Sequence, residues 1–252
     1  MTKRALITAG AGGIGKCVAE RFLSQGARVA ICDADADAVE DFSTKNPGAI
    51  AETVDVTDEA AMDAFLARVE VEFGGIDLVH ANAGIGGPAG TIDEMSFADW
   101  RQTIDVSLLG SYLTCRWASR LMRAQGSGVI VLMSSTAGLF GFPYRSPYAA
   151  AKWGIIGLTK TLAMELGPHG VRVNCICPGP VEGERIDRVI RNEAAARGVS
   201  DNVVRARFVD RLSLKQWISP EDIADMVEFL ASDKAAKVSG QALAVDGHTE
   251  GM

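Results

Sequence analysis

The stretch ITAGAGGIGKC, Ile7 to Cys17, admits two incompatible readings, and the choice between them decides the fold. Gly10, Gly12 and Gly15 match the dinucleotide pattern G-x-G-x-x-G, while Gly10, Gly15 and Lys16 match a triphosphate loop, G-x-x-x-x-G-K followed by Ser or Thr. That Ser or Thr ligates magnesium in a triphosphate loop, and Cys17 offers a soft thiol that suits a hard cation poorly. A dinucleotide site instead needs a strand before the loop, a helix after it, and an acidic residue about 20 positions on to accept the adenosine ribose hydroxyls. ALIT precedes the loop, KCVAERFLSQG follows it, and Asp33 closes the next apolar run, 18 residues beyond Gly15. A glycine-rich turn can also be only a tight connection, and Asp33 can serve as a helix N-cap in DADADAVEDF, a role compatible with ribose binding. Taken together, the glycines let backbone amides reach a pyrophosphate, and a carboxylate at Asp33 repels the 2'-phosphate of NADP, so NAD is favoured.

Outward from this loop, short β-rich runs alternate with helical segments. ALIT, ARVAICD, AIAETVDV, IDLVHANAG, GVIVLMSS, VRVNCICPGP and GQALAVDG are the expected strands; helices are expected to about Gln25, over Asp58 to Phe73, from about Ser96, and over Ser146 to Leu166. Strands apolar along their length and separated by helices imply parallel pairing buried on both faces, hence an α/β doubly wound sheet. No Pro/Gly/Ser linker or repeat divides the chain, so one domain over 1–252 is expected. The charged, helical stretch from Val181 to Trp217 breaks the alternation. It is either a solvated insertion or, because it follows the carboxyl end of a strand, a mobile substrate cover; the cover is preferred.

The 252 residues are 48% hydrophobic and 23% charged, enough to bury a full core without metal or disulfide staples. A net charge of -7 argues against nucleic acid as a partner. Five cysteines, Cys17, Cys32, Cys115, Cys175 and Cys177, include no C-x-x-C and no zinc spacing, and read as reduced thiols of a cytoplasmic protein. The N-terminus carries no signal-peptide pattern and no run approaches a membrane span, so no membrane association is expected.

Tyr148 and Lys152 lie four apart on an expected helix, so their side chains share one face, and an ammonium near a phenol favours the phenolate. Tyrosine starts near pKa 10, and each unit of lowering, worth about 1.4 kcal/mol, enlarges the fraction able to act as base near neutral pH. Beside YAAAK (148–152) stand HANAG (80–84), SSTAG (134–138) and PGPV (178–181). With these four motifs in order, the chain resembles the short-chain dehydrogenase/reductase superfamily over nearly its whole length, in the compact NAD-preferring form.

The resemblance implies a Rossmann fold, three α/β/α layers, and hydride transfer directly between a substrate carbon and nicotinamide with no metal. It implies that Tyr148 exchanges the hydroxyl proton, that Ser135 hydrogen-bonds the reacting oxygen, and that Lys152 lowers the tyrosine pKa while binding the nicotinamide ribose. Cofactor contacts implied by position are Gly10, Gly12, Gly13, Ile14 and Gly15 in the first loop, Asp33 on the ribose, Asp55 and Val56 near adenine, Asn82, Ala83 and Gly84, and Pro178, Gly179 and Val181 near nicotinamide. Asn82 equally suits a tie between the central strands, and both roles can hold. Family members form dimers or tetramers through long helices that here include Ser96 to Gln125 and Ser146 to Leu166.

Two positions depart from the family pattern. Ala9 replaces the glycine that follows the first-strand threonine, with Gly10 expected to supply the turn instead. Ser107 replaces the asparagine of the catalytic tetrad, which kinks its helix so that a backbone carbonyl holds a water near the lysine. Serine can loosen a helix by bonding back to the preceding turn, so an altered proton relay in an active enzyme is expected.

Arg145, three before Tyr148, is placed to clamp a carboxylate, sulfonate or phosphate of the substrate, with Arg185 or Arg188 as helpers. Equally it can pair with a subunit neighbour or face solvent. Glu182, Glu184 and Trp217 are further candidates for the pocket wall. The leading expectation is an NAD-dependent dehydrogenase of a small polar secondary alcohol carrying an anion, such as a hydroxy acid or sugar acid. A 3-oxoacyl-thioester reductase, a non-catalytic dinucleotide-binding regulator and, remotely, an NTPase are the alternatives.

Overall fold

The computed structural model describes residues 3–249, the side chains of 192, 193, 196 and 197 apart. Its strands are β1 (Arg4–Thr8), β2 (Arg28–Asp33), β3 (Ile50–Thr53), β4 (Leu78–Ala81), β5 (Gly128–Met133), β6 (Val171–Pro178) and β7 (Ala242–Val245). The helices are α1 (Gly13–Ser24), α2 (Ala36–Lys45), α3 (Glu59–Phe73), α4 (Phe97–Ile104), α5 (Gly110–Gln125), α6 (Ser146–Leu166), α7 (Glu184–Arg197), α8 (Asp201–Asp210) and α9 (Pro220–Ala231).

All strand pairs are parallel, in the order β3-β2-β1-β4-β5-β6-β7. Parallel neighbours need long crossovers, which is why helices alternate with strands in the chain. Strand side chains alternate between faces, and both faces are dry. Ala5 and Ile7 of β1 pack with Val18 and Phe22 of α1, Phe42 of α2 and Val227 of α9. Leu6 points the other way, into the layer of Phe65 of α3, Leu113 of α5 and Ile155 of α6. The expected three-layer α/β/α architecture is present.

Local chemistry sets the helix boundaries. Asp58 accepts a hydrogen bond from the Ala61 amide at the start of α3, and Gly74, at φ 66°, ends it. Ser219 and Asp222 form a reciprocal capping box on α9. The helix expected from Ser96 is interrupted: α4 passes through a π turn at Asp105–Leu109 before α5 continues. Along α5 and α6, Tyr112, Trp153 and Met164 stand exposed, and Tyr112 with Cys115, Leu158 and Leu162 lines a cavity of about 630 Å³ between the two helices.

The reversal in strand order lies between β1 and β4, so the loops at their carboxyl ends part and leave a crevice. α7 and α8 lie beyond the end of β6 and carry a small core of their own, in which Ile190, Ala194 and Val204 pack with Phe208 and Trp217. Trp217 is thus drawn into that core, its ring 6.2 Å from Phe208 with the Arg205 guanidinium 5.0 Å above it, and does not serve as a free wall of the crevice. A single bridge between Val181 and Ile218 closes the base of the excursion. Among the described residues no helix is long and apolar enough to cross a membrane.

Candidate active site

The glycine loop follows β1 and opens α1. Gly10 lies so close to β2 that a β-carbon would sit 2.6 Å from Ile31 Cγ2, and one on Gly15 would sit 2.0 Å from the Ala9 carbonyl oxygen. Gly13 takes φ 49°, and Gly12 faces space with no atom of the chain within 4 Å of an added β-carbon. Ala9 itself adopts φ 49°; the left-handed turn expected of Gly10 falls one residue earlier. No side chain caps α1, so its first-turn amides face the open side of the loop. Asp33 accepts from the Ala11 amide at 3.1 Å and from the Asp35 amide at 3.2 Å. The N-cap of α2 is Asp35, bound by the Ala38 amide, so the capping alternative weighed for Asp33 belongs to its neighbour. An uncapped helix N-terminus beside open glycines, with a carboxylate at the tip of β2, fits a nicotinamide dinucleotide: Gly12, Gly13, Ile14 and Gly15 would hold the pyrophosphate and Asp33 the ribose.

Asn82 donates through Nδ2 to the Thr8 and Ala9 carbonyls, both at 3.1 Å, and the Thr8 hydroxyl accepts from the amides of Asn82 and Ala83. This is the strand tie, linking β4 to the glycine loop. Asp55 accepts from the Thr57 amide and hydroxyl, while Val56 is buried against Gly110, where a β-carbon would come within 2.6 Å of it. Pro178 ends β6, and Gly179 packs so tightly on Asp246 that a β-carbon would meet its backbone at 3.0 Å.

α6 starts at Ser146 with Pro147 in its first turn, a residue whose missing N–H costs nothing there. In that turn Tyr148, and one turn on Lys152, project from the buried face, 9% and 2% exposed. The Lys152 ammonium donates to the Met133 carbonyl at 2.8 Å and lies 5.7 Å from the Tyr148 ring centre. Ser135, just after β5, hydrogen-bonds the Tyr148 phenol, while Ser134 donates to the Lys152 carbonyl at 2.8 Å and braces the helix. Burial alone would push the Tyr148 phenol up; Arg185, then Lys152, the Ser135 hydrogen bond and Arg145 outweigh it and bring it down to about 8. Burial pushes the Lys152 ammonium down, against the pull of the nearby tyrosine.

Two guanidiniums close this group. Arg145 lies 5.8 Å and Arg185 5.6 Å from the Tyr148 ring centre, and both border Gly86, where a β-carbon would meet Arg145 at 2.7 Å and Arg185 at 3.9 Å. Arg145 Nε is buried without a hydrogen-bond partner. Among the described residues neither guanidinium has a carboxylate partner. Arg188, Glu182 and Glu184 are exposed, and Glu182 is tied only by its amide to the Ile218 carbonyl. Gly86, as the floor beneath both arginines, carried no sign in the sequence beyond being one glycine among many.

Ser107 sits in the π turn, buried, and differs from the expected back-bonded serine. Its hydroxyl reaches across to Ile85, accepting from the amide at 3.2 Å and facing the carbonyl at 3.4 Å. The bond to the preceding turn is made one helical turn later, where the Ser111 hydroxyl donates to the Ser107 carbonyl at 3.2 Å. Gly84 lies between this serine and the lysine: a β-carbon there would be 3.1 Å from Lys152 Nζ and 3.4 Å from Ser107 Oγ.

A dinucleotide cradle on a doubly wound sheet, with an acidified phenol and a buried amine at the crevice, defines an oxidoreductase class. Residues 9–248 match the family model described as Enoyl-(Acyl carrier protein) reductase. The chain is 36% identical over 247 residues to cis-4-hydroxycyclohexanecarboxylate dehydrogenase of Sinomonas cyclohexanicum, covering 96% of this chain and 94% of that one. It is 36% identical over 252 residues to a 3-oxoacyl-(acyl-carrier-protein) reductase of Chlamydia muridarum, covering 98% and 97%. The solved structure of NAD+-bound xylitol dehydrogenase superposes with a TM-score of 0.91 at 28% identity, covering 98% of both chains. The chain belongs to the short-chain dehydrogenase/reductase family and is an oxidoreductase of its alcohol dehydrogenase type.

Proposed function

We propose that this enzyme is an NAD-dependent dehydrogenase of a small secondary alcohol that carries an anionic group, held by Arg145 and Arg185. The observation that carries the reading is the pair of guanidiniums, without carboxylate partners, converging over Gly86 beside the Tyr148 phenol. Arg145 is half-buried with its Nε unpartnered and Arg185 stands exposed beside it, so an anion arriving with the substrate would pair with both guanidiniums. The carboxylate in the name of the Sinomonas relative's substrate agrees with this choice.

In alcohol oxidation Tyr148 Oη takes the hydroxyl proton, and a phenol brought down to about 8 is close enough to neutrality to do so. Ser135 holds the same oxygen from the side of β5. Lys152, fixed by the Met133 carbonyl, sets an ammonium beside the phenol and would hold the nicotinamide ribose of a bound cofactor. The bound nicotinamide supplies the hydride acceptor, or the donor in the reverse direction. α7 and α8, as the cover, bring Arg185 over the alcohol and exclude water. Asp33, held by the Ala11 amide next to the glycine loop, supports NAD over NADP, because a 2'-phosphate would meet its carboxylate.

The test compares turnover of anionic alcohols and their neutral analogues, with NAD and with NADP, in wild type and Arg145→Ala. The expected outcome is NAD-linked turnover in which kcat/KM for the anionic substrate falls at least about tenfold more than for the neutral one, the scale of losing one charged partner. Equal losses on both substrates would remove the clamp, and faster turnover with NADP would remove the cofactor assignment.

A further inference from the structure

Three cations surround the Tyr148 ring at nearly equal distances, from two different parts of the fold. Lys152, at 5.7 Å, and Arg145, at 5.8 Å, belong to α6 and to the residue just before it, and so are fixed relative to the tyrosine. Arg185, at 5.6 Å, belongs to the first turn of α7, in the excursion that packs around its own small core. From the sheet side the tyrosine meets Ser135, and behind Lys152 lie the thiols of Cys175 and Cys177 on β6. Among the described residues no carboxylate acts on the phenol beside these groups, although Glu184 and Asp187 share the first turn of α7 with Arg185.

We propose that Arg185 is a positioning residue that couples the cover to proton transfer: lowered, α7 sets a guanidinium over the Tyr148 ring and readies the tyrosine as a base, and raised, it withdraws that charge. Lys152 and Arg145 act on the tyrosine in every position of the cover; Arg185 acts only when it is down. The tyrosine is therefore readied when the crevice is closed over a substrate. The ordering of charges around the phenol agrees, since Arg185 draws it down more than Lys152 does. Arg185 is exposed, so water screens the pair and the effect is modest compared with that of a buried pair. This inference rests on Tyr148 as the base and shares Arg185 with the anion clamp, so it is read in the substrate-free protein and with a neutral alcohol, where no anion occupies the guanidinium.

The first measurement needs neither cofactor nor substrate. The chain has three tyrosines, and the ultraviolet titration of tyrosinate in wild type minus that in Tyr148→Phe isolates the step belonging to Tyr148. The same difference taken in an Arg185→Gln background is expected to show this step at a pH higher by about half a unit or more, while Arg185→Lys leaves it near the wild-type position. Because oxidation requires the phenolate, the acid limb of kcat/KM for a neutral alcohol should move up by the same amount. A step at the same pH in wild type and Arg185→Gln overturns the proposal. A difference titration with no step overturns Tyr148 itself as the acidified group. An unchanged preference for anionic substrates in Arg185→Gln, with the shift still present, removes Arg185 from the clamp and leaves this inference standing.

Discussion

Ala9 shows how much one residue can hold in place. Its φ of 49° lies in the left-handed region, which costs an L side chain roughly 1–2 kcal/mol, yet its carbonyl accepts from Asn82 and packs against the Gly15 backbone. The neighbouring Gly10 cannot be exchanged for a larger residue, because Ile31 occupies the place of a β-carbon. Glycine at position 9 would relieve the strain but loosen the unfolded chain by about 0.5–1 kcal/mol. Denaturant unfolding of Ala9→Gly should therefore show a stability equal to wild type or higher by up to about 1 kcal/mol. A loss of more than about 1 kcal/mol would mean that the methyl group is stabilising and the turn is not strained. Alanine carries no turn signal, so this conformation was hidden in the sequence, whereas the glycine pattern signalled the close backbone approach at Gly15.

At the scale of elements, regular helices and strands were the most readable. α6 runs from Ser146 to Leu166 as its periodicity indicates, and α3 starts at the residue after its Asp58 cap. Strand ends were less readable. AIAETVDV stops pairing at Thr53, where Asp55 and Thr57 take up a turn, and IDLVHANAG stops at Ala81 because the Asn82 side chain turns to β1. The π turn around Ser107 depends on Ile85, a contact 22 residues away that no local pattern encodes. β4 also holds His80, fully buried, with Nδ1–H donating to the Val131 carbonyl at 3.1 Å and Nε2 without a partner. Burial pushes its pKa down to about 4, against a weaker upward pull from Val131. The folded chain thus keeps this imidazole neutral while the unfolded chain protonates it below about 6.5, so stability is full above that pH and falls as pH drops toward 4. The loss from this group amounts to about 3 kcal/mol over that range. His80→Phe should flatten the pH dependence of the denaturant midpoint there by one proton's worth of slope; an unchanged slope would show that His80 is not held neutral.

Across the whole molecule, the site is an assembly of carboxyl ends. The glycine loop follows β1, Asp33 ends β2, Asn82 to Gly86 follow β4, Ser135 follows β5, and Pro178 and Gly179 end β6. Four motifs in order were enough to place most of these groups in one crevice, since a doubly wound sheet gathers the ends of its strands. The convergence of Arg145 and Arg185 was only half readable: Arg145 is near Tyr148 along the chain, while Arg185 arrives by the packing of α7. In the proposed mechanism, what the assembly accomplishes depends on the phenol at 148. The most direct test is the rate of NADH formation by Tyr148→Phe, with folding checked by circular dichroism and thermal unfolding. Removing one positioned proton acceptor from an otherwise intact crevice predicts a fall of about 10²–10⁴-fold with the fold unchanged. Turnover within about tenfold of wild type would contradict the account.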